Sequence, residues 1–153
     1  MEAVISLKIP QNWMSEIPEK YPVTIKVLDR IPYSERGVKD LVEIAGPQDI
    51  MDEVLKDIRK NPLVSKVDTT MTERGKIVGA VTTARCDICR ILTDSDCFLI
   101  SAETKSAGKV EWTLVMSDKE VLKGIFDRLK MKSVVAELVK LTKIDDKESL
   151  TER

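Results

Sequence analysis

The sequence contains no histidine, only four amide side chains and three cysteines. Without an imidazole it lacks the side chain that ordinarily titrates near neutral pH, which excludes a histidine-based catalytic triad or a histidine-containing metal site within this chain. A small, odd number of cysteines does not build a secreted disulfide framework, so we expect reduced thiols, metal ligands or a redox pair. These absences argue against an enzyme.

Long apolar runs and an excess of one charge are also missing. No apolar segment approaches the ~20 residues of a membrane span, and the start, Met1–Val4, lacks the basic region of a signal peptide. Lys and Arg number 25 against 26 Asp and Glu, so the net charge of −1 creates no overall field that attracts nucleic acid or anionic membrane. We therefore expect a soluble, cytoplasmic protein with no membrane partner.

Charged residues make up 33% of the chain, whereas Asn and Gln are scarce. This balance is typical of thermophile proteins. At 153 residues, the chain suits one ordinary domain or two small ones.

What the sequence does contain is an internal repeat with a spacing of 71 residues, which separates Gly37 from Gly108. The apolar residues of two helix-like segments match at this spacing without a gap, Ile50, Met51, Val54, Leu55 and Ile58 corresponding to Val121, Leu122, Ile125, Phe126 and Leu129. Each set forms one face of an α-helix, which predicts helices over 48–60 and 119–132. Repeated patterns of this kind indicate repeated supersecondary units.

Both copies have the predicted element order β-α-β-β-α-β, the ferredoxin-like unit. We predict an α+β fold of tandem duplicated ferredoxin-like (ACT-like) units with antiparallel sheets, over residues 1–72 and 73–144, followed by a charged linker or tail over 145–153. One such unit has helices on only one face of its sheet. The two copies are therefore expected either to pack sheet on sheet or to pair their edge strands.

Turn and cap residues refine this prediction. Gly37 and Gly108 are expected to provide the positive φ of a tight hairpin in each copy. Asn12 is expected to cap the first helix. Ser117 and Glu120 have the spacing of a capping box at the start of the last helix.

The clearest difference between the copies is the pair Cys86 and Cys89, found only in the second. The pair follows a strand and begins a short helix, where free N–H groups and the helix dipole stabilise a thiolate. A spacing of three residues puts both sulfurs on one face, close enough for a shared soft metal (Zn or Cu) or a disulfide. Plain core thiols and dimer contacts are the alternatives.

Cys97 begins the strand after this helix, and a third thiolate ligand would require the helix to be unwound. We expect Cys97 to belong to the core, and the pair to be partly accessible and more reactive than Cys97.

The stretch from Cys86 to Ala102, which ends in Ser101-Ala102, is followed by Gly108 and by Trp112-Thr-Leu114. These segments resemble a region of archaeal transcription regulators of the bacterio-opsin activator type, in which a cysteine-containing segment leads to a Leu-x-Ser-Ala strand and a Gly-x-x-Trp-Thr-Leu strand. The resemblance covers about residues 75–153.

In that family a helix-turn-helix begins with a Leu-Thr segment, which Leu150–Arg153 resembles. The resemblance implies a non-enzymatic N-terminal regulatory domain for sensing and dimerisation, with DNA contacts only through a helix-turn-helix that would follow Arg153. It implies a homo-oligomer and allows a small-molecule effector. The alternative hypothesis is a soft-metal-binding or thiol redox protein that acts through Cys86 and Cys89 alone.

Overall fold

The computed structural model describes residues 1–143, in which eight strands and four helices follow one another. In chain order they are β1 (Glu2–Leu7), α1 (Trp13–Lys20), β2 (Thr24–Tyr33), β3 (Gly37–Ala45), α2 (Met51–Lys60), β4 (Val64–Glu73), β5 (Lys76–Thr83), α3 (Asp87–Thr93), β6 (Cys97–Thr104), β7 (Val110–Met116), α4 (Lys119–Met131) and β8 (Ala136–Thr142). The predicted tail over 145–153, including the Leu150–Arg153 segment, lies outside the described residues, as does residue 144.

All eight strands belong to one antiparallel sheet in the order β4-β5-β3-β2-β6-β7-β1-β8. The α+β class and the antiparallel pairing are therefore confirmed. The two predicted units do not form separate sheets, however, because β2 and β6 pair at the centre through Lys26 with Glu103 and Val27 with Ala102. Of the two arrangements expected from the sequence, the structure has paired strands.

The first strand of each half lies between strands of the other half. β5 lies between β4 and β3, where Ala80 is opposite Leu41. β1 lies between β7 and β8, where Ile5 is opposite Trp112. The two halves are therefore held together by complete strand ladders as well as by the central β2–β6 pairing.

One face of the sheet carries the core. Along β1 and β7, every second residue is buried, as expected for strands with one covered face. These residues form one apolar cluster with the inner faces of the helices, whose largest fully buried members include Trp13, Trp112, Met14, Ile58, Ile125 and Leu129. The predicted helical faces thus point inwards, although Leu55 is only partly buried.

Side-chain caps begin α1, α3 and α4, whereas α2 begins without a side-chain cap hydrogen bond. Asn12 caps α1, and its Oδ1 accepts the N–H of Met14 at 2.8 Å, as predicted. The predicted cap at Ser117 is wrong, because Asp118 accepts the N–H groups of Glu120 and Val121 at 2.9 and 3.2 Å. Both residue types are good N-caps, so local preference did not distinguish the two neighbouring positions.

The two hairpin glycines have different roles. Gly108 has φ of +71°, which a side chain would disfavour, as expected. Gly37 is not among the residues with positive φ, so the expectation for it is wrong. Close packing requires a glycine at this position instead, because a Cβ would clash with the carbonyl oxygen of Thr83.

A bulge in β2 between Val27 and Asp29 shifts the strand register. As a result, Arg30 is directly opposite Asp40, and directly opposed residues share one face of a sheet. The side chains form a two-contact ion pair, with Nε–Oδ1 at 2.6 Å and Nη2–Oδ2 at 3.2 Å, and each side chain is only 3% exposed.

Within residues 1–143, none of the helices has the length and apolar composition needed to cross a membrane.

Candidate functional site

The cysteine pair begins α3 in the manner of a helix cap. Cys86 has the extended backbone of an N-cap, and its Sγ accepts the N–H of Cys89 at 3.2 Å. The sulfur thus replaces the oxygen that Ser, Thr or Asp supplies at most N-caps. The N–H of Cys86 donates to the carbonyl of Arg36 at 2.9 Å, which holds the cap against the β2–β3 hairpin.

The Sγ atoms of Cys86 and Cys89 are in disulfide contact, with their Cα atoms 5.3 Å apart. This Cα separation lies within the usual range of natural disulfides. The prediction that the two sulfurs lie close together on one face of a helix start is therefore confirmed.

Asn12 covers both sulfurs. Its Nδ2 donates to Sγ of Cys86 at 3.6 Å and to Sγ of Cys89 at 3.7 Å, while its Oδ1 caps α1. The side chain is buried, so these contacts form away from bulk water. One amide therefore joins the N-termini of two helices, one from each half of the chain.

The exposure of the three cysteines in the structure differs from the exposure predicted for them. Cys86 is 8% exposed and Cys89 1% exposed, because the N-terminus of α1 covers them, whereas the pair was expected to be partly accessible. Cys97, expected in the core, is only half-buried at the start of β6. Its thiol donates to the carbonyl of Leu92, and burial, together with the charge of Asp96, raises its pKa.

A cleft of about 290 Å³ opens beside the pair and includes Cys86 in its wall. Its other lining residues are both apolar and polar: Ile9, Pro10, Trp13, Leu63 and Ile88, with Gln11, Asn12, Asn61, Thr83, Arg85, Asp87 and Lys132. Cys89 does not line this cleft. The two members of the pair therefore differ in their access to a ligand.

Three cations surround the carboxylate of Asp87, and two of them, Arg85 and Lys132, line this cleft with it. Arg36 donates hydrogen bonds to both of its oxygens at 2.9–3.3 Å, while Arg85 and Lys132 lie 3.6 and 3.9 Å away. Burial acts to raise the pKa of Asp87, but the hydrogen bonds of Arg36 and the three positive charges outweigh it and hold this pKa below its ordinary value. The carboxylate stays ionised at neutral pH.

A second, more open cleft of about 430 Å³ shares Asp87 and Lys132 with the first and is also lined by Arg90 and Arg128. Arg90 donates to the carbonyls of Ser34 and Gly37 and pairs with Asp94, while Arg128 donates to Ser95. These arginines are therefore committed to holding the hairpin and the end of α3 in position.

A zinc site of the usual kind does not fit the pair. Four ligands are normal for structural zinc, and no group of three or more Cys, Asp or Glu within residues 1–143 is arranged to hold a metal ion. Cys97, considered the less suitable third ligand, is accordingly not brought to the site. A soft ion such as Cu(I) would have to be bound by Cys86 and Cys89 alone.

In comparisons with known proteins, no family model and no curated protein matches this chain. The functional argument is therefore based on the geometry of the cysteine pair and the cleft.

Sequence reasoning identified Cys86 and Cys89 but missed Asn12, Arg36 and Lys132 as their surroundings. Asn12 carried a signal only for helix capping, and the two cations are exposed residues of a hairpin and a helix end, with no local pattern that distinguishes them. Their proximity arises from long-range packing, since Asn12 is 74 residues from Cys86 in the chain.

Proposed function

We propose that this chain is a non-enzymatic regulatory module whose state is set by oxidation of Cys86 and Cys89 to a disulfide. The observation that supports this proposal best is the contact between the two sulfurs at the start of α3. The N–H of Cys89 and the amide of Asn12 donate to these sulfurs, and donors at a helix start stabilise the thiolate form that exchanges disulfides.

Both halves of the chain are in contact with the pair. Asn12 donates from the start of α1 to both sulfurs, whereas the backbone N–H of Cys86 donates to the carbonyl of Arg36 in the β2–β3 hairpin. A thiolate attracts these donors more strongly than a disulfide sulfur does. Reduction and oxidation would therefore change the strength of the Asn12 contacts that hold α1 against α3, which is how a local redox change is transmitted.

We further propose that the fold arose from a ferredoxin-like duplication with exchanged first strands. In a ferredoxin-like unit the first strand lies between the third and fourth strands. Supporting this view, β5 occupies that position beside β3 and β4, and β1 occupies it beside β7 and β8. Each half would then be incomplete without the first strand of the other.

The regulatory hypothesis includes assembly into a homodimer through the open face of the sheet. Its support is a set of exposed apolar side chains on that side of the strands and at the bulges, including Ile31, Leu41, Phe98 and Ile100. Several large apolar side chains exposed on one side of a sheet are typical of an interaction site. Sedimentation of Phe98→Glu should give monomers, whereas Met131→Glu, at an equally exposed residue at the end of α4, should leave the dimer intact.

The resemblance to archaeal regulators of the bacterio-opsin activator type supports a role in transcription. Under this proposal, DNA contacts belong to a helix-turn-helix after Arg153, and residues 1–153 alone bind double-stranded DNA weakly and without sequence preference. Submicromolar, sequence-specific binding of this chain at physiological salt would contradict the proposal.

A redox titration followed by mass spectrometry tests the central proposal. After equilibration with a thiol–disulfide buffer and alkylation, we expect Cys86 and Cys89 to gain or lose their labels together, while Cys97→Ser leaves the transition unchanged. Labels that appear on the two residues independently would exclude a disulfide switch.

Metal analysis of anaerobically purified protein tests the alternative function, a soft-metal-binding protein. One soft ion per chain that is lost in Cys86→Ser would favour metal binding.

A further inference from the structure

The two cysteines differ in their access to the cleft, and this asymmetry assigns them different chemical roles. Cys86 contributes to the wall of the cleft, whereas the less exposed Cys89 does not line it. A molecule bound in the cleft would therefore meet Cys86 before Cys89. Cys86 also accepts the backbone N–H of Cys89, which stabilises negative charge on it.

The cleft has the size and composition of a small-molecule site. Its volume of about 290 Å³ is at the lower end for small ligands, and apolar and polar side chains both line it. A folded protein segment would be too large for this space. The size therefore favours a compact organic molecule.

The charged residues that line the cleft select the sign of that molecule. Among the three cations around Asp87, only Arg36 donates hydrogen bonds to its carboxylate. The side-chain nitrogens of Arg85 and Lys132 lie 3.6 and 3.9 Å from a carboxylate oxygen and donate no hydrogen bond to it. The side chains of Arg85 and Lys132 are more than half exposed. Two cations, Arg85 and Lys132, line the cleft against the single carboxylate of Asp87 and leave a local excess of positive charge that attracts an anion.

We propose that the cleft binds small anionic disulfides and thiols, and that Cys86 is the residue that exchanges with them. The Cys86 thiolate attacks one sulfur of the bound disulfide, forming a mixed disulfide and releasing one thiolate. Cys89 then loses its proton, attacks Sγ of Cys86 and releases the second thiolate. Two protein thiols and one external disulfide thus become one protein disulfide and two external thiols.

This inference rests on the proposed redox pair and adds the chemical class of its oxidant. The test uses three short aliphatic disulfides of different charge on the Cys97→Ser protein: 3,3′-dithiodipropionate (anionic), 2-hydroxyethyl disulfide (neutral) and cystamine (cationic). For each probe, the rate of disulfide exchange with the folded protein is divided by the rate with the same protein unfolded in urea. This ratio removes differences in intrinsic reactivity between the probes. We expect the folded protein to prefer the anionic over the cationic probe by about tenfold at low salt.

Replacing Arg85 and Lys132 together by Gln should abolish this preference, whereas Lys130→Gln, an exposed lysine of α4 outside the cleft, should retain it. In Cys89→Ser the mixed disulfide should accumulate on Cys86, and Cys86→Ser should form almost none on Cys89.

Equal normalised rates for the three probes, or a faster mixed disulfide on Cys89, would overturn this inference and leave the redox switch intact. If none of the probes forms the Cys86–Cys89 disulfide in the folded protein, both proposals fail.

Discussion

The side-chain amide of Asn12 lies over the sulfur of Cys86, with Nδ2 3.6 Å from Sγ, while the carbonyl of the same amide caps α1. Two roles that are usually separate, helix capping and hydrogen bonding to sulfur, are thus combined in one buried side chain. Substitutions at this residue can separate them.

Asn12→Ala should destabilise the protein by about 0.5–2 kcal/mol, the usual result of removing an N-cap. Asn12→Ser retains a capping oxygen and should restore part of this loss, but it has no amide to donate to the sulfurs. Both variants should make the reduction potential of the Cys86–Cys89 pair more negative, by on the order of 10 mV, because the thiolate loses a donor. Urea unfolding and redox titration measure the two effects; an unchanged potential in Asn12→Ser would show that the amide does not act on the sulfurs.

The cluster around Asp87 should make stability depend on acid pH. Its pKa is held below the ordinary value of 3.8, so its stabilising effect is complete above that value and is lost as the pH falls through the lower pKa of the folded state. Asp87→Asn should therefore be less stable than the native chain at pH 7, by about 1 kcal/mol, with a smaller difference at pH 3. Urea unfolding at both pH values is the measurement, with the exposed residue of α4 in Asp127→Asn as control; a pH-independent difference would contradict this assignment.

The ion pair of Arg30 and Asp40 is expected to be costly to break. Both side chains are 3% exposed, so Asp40→Ala leaves a buried cation without its partner and should destabilise the protein by about 3–5 kcal/mol. Replacing both residues, as Arg30→Met with Asp40→Leu, removes the unpaired charge and should cost less than the single change. Urea unfolding of the two variants compares them, and a double variant less stable than Asp40→Ala would refute the argument.

The two helices whose apolar patterns match in sequence should differ in how much stability is lost when a leucine is replaced by alanine. Leu122 is 7% exposed on α4, whereas Leu55 on α2 is only partly buried. Leu122→Ala should therefore cost about 2–5 kcal/mol, and Leu55→Ala about 1–2 kcal/mol. Thermal or urea unfolding tests this ranking, which equal losses would disprove.

Much of the local structure could be predicted because it depends on short-range patterns. The apolar spacing of Val54, Ile58 and Leu122 predicted both long helices, and the polar side chain of Asn12 predicted the start of α1. Predictions were wrong where neighbouring residues are similarly good N-caps, as at Ser117 and Asp118. They were also wrong where close packing, and not a positive φ, is the reason for a glycine, as at Gly37.

The sequence by itself determined the order of strands and helices, the spacing of Cys86 and Cys89 at a helix start, and the absence of imidazole chemistry. These features depend on residue type and on periods of two and 3.6 residues, which are local. Only the tertiary structure decided that β1 and β5 each pair within the opposite half, since both strands alternate in the same way and would suit either position. Tertiary structure also decided that Arg30 is buried and that Asn12 meets Cys86, because these contacts join residues whose local sequences carry no sign of each other.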